Sequence, residues 1–104
     1  MVVEKYNPKW VEQFCKLKEF LKKNTTEYIS IEHVGSTSIP GMNAKPIIDI
    51  DVVVEDAVQF LKLKEELEKI GYVHEGDRGI PGREAFDHEK VSIGIDHHLY
   101  VCVK

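Results

Sequence analysis

One hundred and four residues make one domain, small but able to bury roughly 65% of the surface its unfolded chain exposes. The formal net charge is −4, from 14 basic and 18 acidic residues, so the chain lacks the basic excess of a general nucleic-acid binder. No apolar run approaches the ~20 residues of a membrane span, and MVVEKYNPKW has no basic-then-apolar leader, so a cytoplasmic, reduced setting is expected. The two cysteines, Cys15 and Cys102, lack metal-type spacing. They fall in helical and strand patterns and are expected to be small buried hydrophobes. No repeat, low-complexity tract or linker interrupts the chain.

Asn7 and Pro8 read as an N-cap followed by proline at the first helical position. Trp10, Phe14, Leu17 and Leu21 then recur at helical spacing, predicting a helix from about Pro8 to Lys23 with one apolar face. These aromatics share the face that must pack, which favours core over a base-stacking platform. From Glu27 to Val34 the pattern alternates. Ile29 and Ile31 lie on one side, and Tyr28, Ser30 and Glu32 on the other, predicting a half-buried strand. A second strand is expected over Pro46–Val54. Asp56 with Gln59 resembles a capping box, opening a helix to about Ile70 that turns Phe60, Leu63, Leu67 and Ile70 inward, with Gly71 placed to end it. Its charged face, KLKEELEK, reads as solvated surface. YVHEGD predicts a short strand, followed by a turn at residues 79–82. Strand pieces are expected at Arg83–Phe86 and Val91–Ile95, and a final strand at His98–Val103. Two helices with four or more strands and short connections indicate an α+β domain, its helices packed on a mixed sheet.

The chemistry concentrates in EHVGSTSIPGMNAKPIIDIDVVV, residues 32–54. Asp49 and Asp51 lie two apart in a strand, so both carboxylates project from one face, roughly 6–7 Å apart, while Ile48, Ile50 and Val52 point to the core. Like charges this close need a cation, a donor cluster or water to relieve them. The Gly35-Ser36 turn can bring backbone N–H groups near an anion. A cation site beside an anion site is the requirement of metal-dependent phosphoryl chemistry.

Gly-Ser followed by Asp-x-Asp on a strand resembles the signature of the nucleotidyltransferase superfamily. More narrowly, HVGSTSIPGMNAKPIIDIDVVV, then GREAF, then HHLYVC resemble the GrpB family over nearly the whole chain. The resemblance implies a nucleotidyltransferase-like sheet with its site on the open rim. It also implies further C-terminal helices that these 104 residues lack, leaving one sheet face or pocket wall open to self-association, for instance as a homodimer.

Each candidate residue has a functional and an ordinary reading. Asp49 and Asp51 form a Mg²⁺ site or an acidic strand edge, and the interruption of an apolar strand favours the first. Gly35 and Ser36 contact the β/γ-phosphates or form a plain turn. Thr37 and Ser38 are donors or, more in keeping with their types, caps. Lys45 meets a phosphate as a point charge or is a surface lysine. Arg83 grips a phosphate bidentately or makes a structural ion pair, and Arg78 has a weaker version of the same case. His98, Tyr100 and Cys102 share one strand face. There the resemblance leads one to expect a third carboxylate; His98 stands in its place, with Asp96 as a fallback. Imidazole suits Zn²⁺, Mn²⁺ or Fe²⁺ better than Mg²⁺ and can act as a general base. His33, near the turn, is a further candidate. The expected function is metal-dependent nucleotidyl transfer from a nucleoside triphosphate to an unidentified acceptor, with Asp49, Asp51 and His98 catalytic and metal-binding. The alternatives are a nucleotide- or metabolite-binding module without turnover and a metal-dependent phosphate-ester hydrolase.

Overall fold

A computed structural model describes residues 3–77 and 82–104; the expected turn at 79–81 and Arg78 lie outside the described residues. The order of elements is α1 (Lys9–Asn24), β1 (Ser30–Val34), a single 3-10 turn (Ser36–Ser38), β2 (Ile48–Val54), α2 (Ala57–Lys69), β3 (Val73–Gly76), β4 (Arg83–Asp87) and β5 (His97–Val103). Five strands form one sheet in the order β1-β2-β5-β4-β3. The β2–β5 pair is parallel and the other three pairs are antiparallel. This is the α+β class and mixed sheet expected from the sequence.

The period-2 pattern of β2 dictates which way the sheet faces. Ile48, Ile50, Val52 and Val54 are buried while Asp49, Asp51 and Val53 between them are half-buried. The buried set joins Leu99 and Val101 of β5, Leu17 and Leu21 of α1, and Leu63 and Leu67 of α2 in one core. Both helices therefore cover one face of the sheet, and the opposite face carries the aspartates. Glu66 of α2 ties the layers together, its carboxylate accepting from the Thr26 and Glu27 amides at 3.0 Å.

Local signals explain the helix ends. Asn7 Oδ1 accepts from the Lys9 amide at 2.9 Å, one residue outside Pro8, which makes no side-chain cap bond in the N-cap position. Asp56 Oδ1 accepts from the Gln59 amide at 2.8 Å, and Gln59 Oε1 accepts in return from the Glu55 amide at 2.7 Å. Gly71, with φ 106°, follows the last turn of α2. Asp56→Ala is expected to cost about 1 kcal/mol, the usual worth of an N-cap acceptor, seen as a thermal midpoint lowered by roughly 4–8 °C.

Several expectations require correction. Cys15 is exposed and Cys102 only half-buried, because Cys15 falls outside the apolar stripe of α1. Ile29 precedes β1 and is largely exposed, whereas Ile31 is buried. Residues 91–95 form turns and irregular chain rather than a strand; Val91 packs into the core without a partner strand. No described helix is long and apolar enough to cross a membrane.

Candidate functional site

Strand register assembles the site. On the open face, the parallel β2–β5 ladder sets Asp49 opposite His98 and Asp51 opposite Tyr100. The antiparallel β4–β5 ladder sets Ala85 opposite Tyr100 and Arg83 opposite Cys102. Two charge pairs result. His98 Nδ1 lies 2.9 Å from Asp49 Oδ1. An ionised carboxylate only accepts, so Nδ1 carries the shared proton. Arg83 Nη2 donates to Asp51 Oδ1 at 3.0 Å, and its guanidinium lies over the Tyr100 ring, 3.7 Å from the centroid. Burial opposes the Arg83 charge, but the hydrogen bond and charge of Asp51 outweigh it and raise the pKa. Burial, with the charge of Asp51, also pushes the Cys102 thiol up.

The bend after β1 closes on the first pair. Gly35 has φ 76°, and a methyl group placed on it would overlap Asp49 Oδ2. The turn and the carboxylate are thus in direct apposition. Ser38 Oγ donates to the Gly35 carbonyl at 2.6 Å, and the buried Thr37 hydroxyl meets His33 Nε2 at 2.9 Å. Both hydroxyls lock the turn, so the expected capping role is replaced by anchoring. A cleft of about 310 Å³ opens beside this bend, where Ser36, Lys45, Asp49 and His98 share the lining with apolar Val3 and Ile47. An antiparallel bridge between Glu4 and Ala44 holds the outer wall.

Two expected participants lie elsewhere. His33 pairs with Ile50 in register and so faces the helices. Its ring stacks on Phe14 at 4.7 Å, and burial lowers its pKa. Asp96 is solvent-exposed and lies 3.6 Å from His88 Nε2, outside the site. Among the described residues, no three His, Cys, Asp or Glu side chains converge as a ready metal cage. Asp49, His98, Ser36 and Lys45 are brought together, while Asp51 and Arg83 form a neighbouring pair one step along the strands. The role of Tyr100 as a platform for Arg83 was missed from the sequence, although its alternation with His98 placed it on the correct face.

A mixed sheet covered by helices on one side, with two same-face aspartates beside a Gly-Ser bend on the other, is a nucleotidyltransferase-like α+β domain. The family model described as GrpB protein matches residues 1–104. The chain is 41% identical to UPF0157 protein YqkA of Bacillus subtilis over 97 residues, covering 92% of this chain and 28% of that protein. It is 36% identical to the glutamate-rich protein GrpB of Alkalihalophilus pseudofirmus, covering 83% of this chain and 51% of that one. The crystal structure of conserved protein GrpB from Enterococcus faecalis superimposes with a TM-score of 0.79 at 39% identity, covering 98% of this chain and 61% of that chain. The chain belongs to the GrpB family and spans less than two thirds of the length of each of these relatives.

Proposed function

We propose that this domain binds a nucleoside triphosphate in the cleft beside Gly35 and, with a divalent cation, transfers its nucleotidyl group to an acceptor. The observation that carries this reading is the apposition of Asp49 to the Gly35-Ser36 bend on the face it shares with Asp51. The carboxylate oxygens suit Mg²⁺, which is commonly held by one or two carboxylates with substrate phosphates completing its shell; His98 extends the range to Mn²⁺ or Zn²⁺. Such a cation, when bound, supplies charge stabilisation at the transferring phosphate. The chain's own residues do the rest. Ser36 and the turn amides orient the phosphates, and Lys45 adds a positive charge. In the free protein His98 and Arg83 neutralise the two acids. On nucleotide binding, Arg83 exchanges Asp51 for a phosphate oxygen, which its planar donor fork fits.

The test is calorimetric titration with ATP and the other ribonucleoside triphosphates, with and without Mg²⁺ or Mn²⁺, followed by measurement of pyrophosphate release. Asp49→Asn is expected to reduce release by at least about 100-fold, the scale of a lost transition-state electrostatic contact. Undiminished release in that variant rejects the mechanism. Metal-independent nucleotide binding without release supports the second reading, a binding module without turnover. That reading draws on the pairing of both acids with cationic partners in the free protein.

A further inference from the structure

Across the open face, β5, β4 and β3 present Tyr100, Ala85 and Gly76 in one row. Along that row the side chains fall from a phenol ring to a methyl group to nothing. A hollow of about 240 Å³ occupies the step, lined by Glu75, Ala85, Phe86, His98, Leu99 and Tyr100. Phe86 and Leu99 alternate onto the helix side, so main chain is what they offer it. The ladder shifts register between His74 and Gly76. A shift of this kind is a bulge, which re-aims the side chain caught in it and recurs beside active sites. Here the re-aimed residue is Glu75, which is exposed and stands on the wall of the hollow.

We propose that this hollow is the acceptor site, built for a small neutral or cationic molecule bearing a hydroxyl group, and that it meets the nucleotide cleft at His98. The proposal rests on the nucleotidyl-transfer reading above. His98 lines both depressions, so ligands in the two would face each other across one imidazole, as substrates must that react at near contact distance. The lining chemistry selects the class. A carboxylate, a phenol and an imidazole offer hydrogen bonds to hydroxyl and ammonium groups, and among the described residues no lysine or arginine lines the hollow. The nearest guanidinium, that of Arg83, is engaged by Asp51. A phosphorylated acceptor or a nucleic-acid end is therefore disfavoured. The volume lies below the roughly 300–1,000 Å³ of drug-sized pockets, so the acceptor is small. In the transfer step the acceptor oxygen forms a bond to the α-phosphorus. The bond from that phosphorus to the bridging oxygen breaks, pyrophosphate leaves with the electron pair, and the hydroxyl proton passes to the imidazole of His98.

The experiment is residue-resolved NMR of the isotopically labelled 104-residue chain. α,β-Methylene-ATP with Mg²⁺ is added first, then ethanolamine, choline, glycerol and glycerol 3-phosphate in separate titrations. The nucleotide is expected to shift the signals of Ser36 and Lys45. Ethanolamine is expected to shift Gly76, Ala85 and Tyr100, with glycerol 3-phosphate at least tenfold weaker. Glu75→Gln, a change at an exposed position, is expected to weaken ethanolamine at least fivefold. If the nucleotide shifts nothing, the transfer reading falls and this proposal with it. If the nucleotide binds while all four probes leave Gly76, Ala85 and Tyr100 unmoved, only the acceptor site is overturned. Preference for glycerol 3-phosphate, or indifference to Glu75→Gln, overturns the assigned chemical class.

Discussion

Acidification from pH 6.5 towards 4 is expected to remove about 3 kcal/mol of folding stability through His97 alone. This side chain is fully buried, and both of its nitrogens are committed. Nδ1 donates to the Ile95 carbonyl at 2.7 Å, so in the neutral ring Nε2 accepts from the Tyr72 hydroxyl, also at 2.7 Å. The same surroundings raise the Tyr72 pKa by burial, keeping the phenol a donor. Burial holds the His97 pKa down to about 4 from 6.5, with His88 and His98 opposing a second proton, against smaller contrary effects of the Ile95 carbonyl and Asp96. The unfolded chain takes up its proton near 6.5 while the folded one resists until about 4. The contribution is therefore complete above pH 6.5, declines as pH falls, and is gone below about 4. A few kcal/mol is a large share of the roughly 5–15 kcal/mol that stabilises a domain. Urea unfolding at pH 7.5, 6.0 and 5.0 measures the effect above the range where carboxylates dominate. His97→Gln is expected to start less stable at pH 7.5 and to lose less between pH 6.5 and 5. An equal slope in both proteins would place the acid sensitivity elsewhere.

Gly35→Ala is expected to cost about 1–3 kcal/mol and to weaken nucleotide binding in the presence of Mn²⁺ at least tenfold. Two independent physical effects meet at this residue. Its φ of 76° is left-handed, which any side chain resists. The added methyl would also overlap Asp49 Oδ2, with the Asp49 Cγ and Cβ only 3.1 and 3.2 Å away. Relief requires Asp49 to swing, which breaks its bond to His98. Gly41 separates the two effects, because its φ is 81° yet nothing lies within 4 Å of where a methyl would stand. Gly41→Ala should lose stability through the backbone and keep its nucleotide affinity. If both variants bind nucleotide as the parent does, the Asp49–Gly35 apposition has no part in binding.

Much of this arrangement was legible because it is written locally. The alternation of β2 put Asp49 and Asp51 on one face, the Asp56–Gln59 spacing marked the start of α2, and His98, Tyr100 and Cys102 fell together by strand period alone. Legibility stopped where strand register begins. The Asp49–His98 pair joins positions 49 residues apart, and the Arg83–Asp51 pair joins positions 32 apart. No local pattern states which residues lie opposite one another. His33 shows the limit in reverse: nearness to the Gly-Ser turn in sequence suggested the site, but one step of strand alternation turns the ring to the helices. The stretch at 91–95 also alternates as a strand does, yet alternation requires only one buried side. Val91 meets that need from a turn.

The position of β5 has a consequence for biosynthesis. It is the latest strand in chain order, yet it lies at the centre of the sheet. Until it inserts, the β1–β2 and β3–β4 pairs are separate ribbons, and two-stranded ribbons are marginal in water. Their unpaired edges are templates for wrong partners, and bringing distant segments together is slow. A nascent chain emerging from the ribosome would thus remain prone to aggregation until β5 is released. The event that ends this exposure also delivers His98 to Asp49, so that solubility and a finished site arrive together.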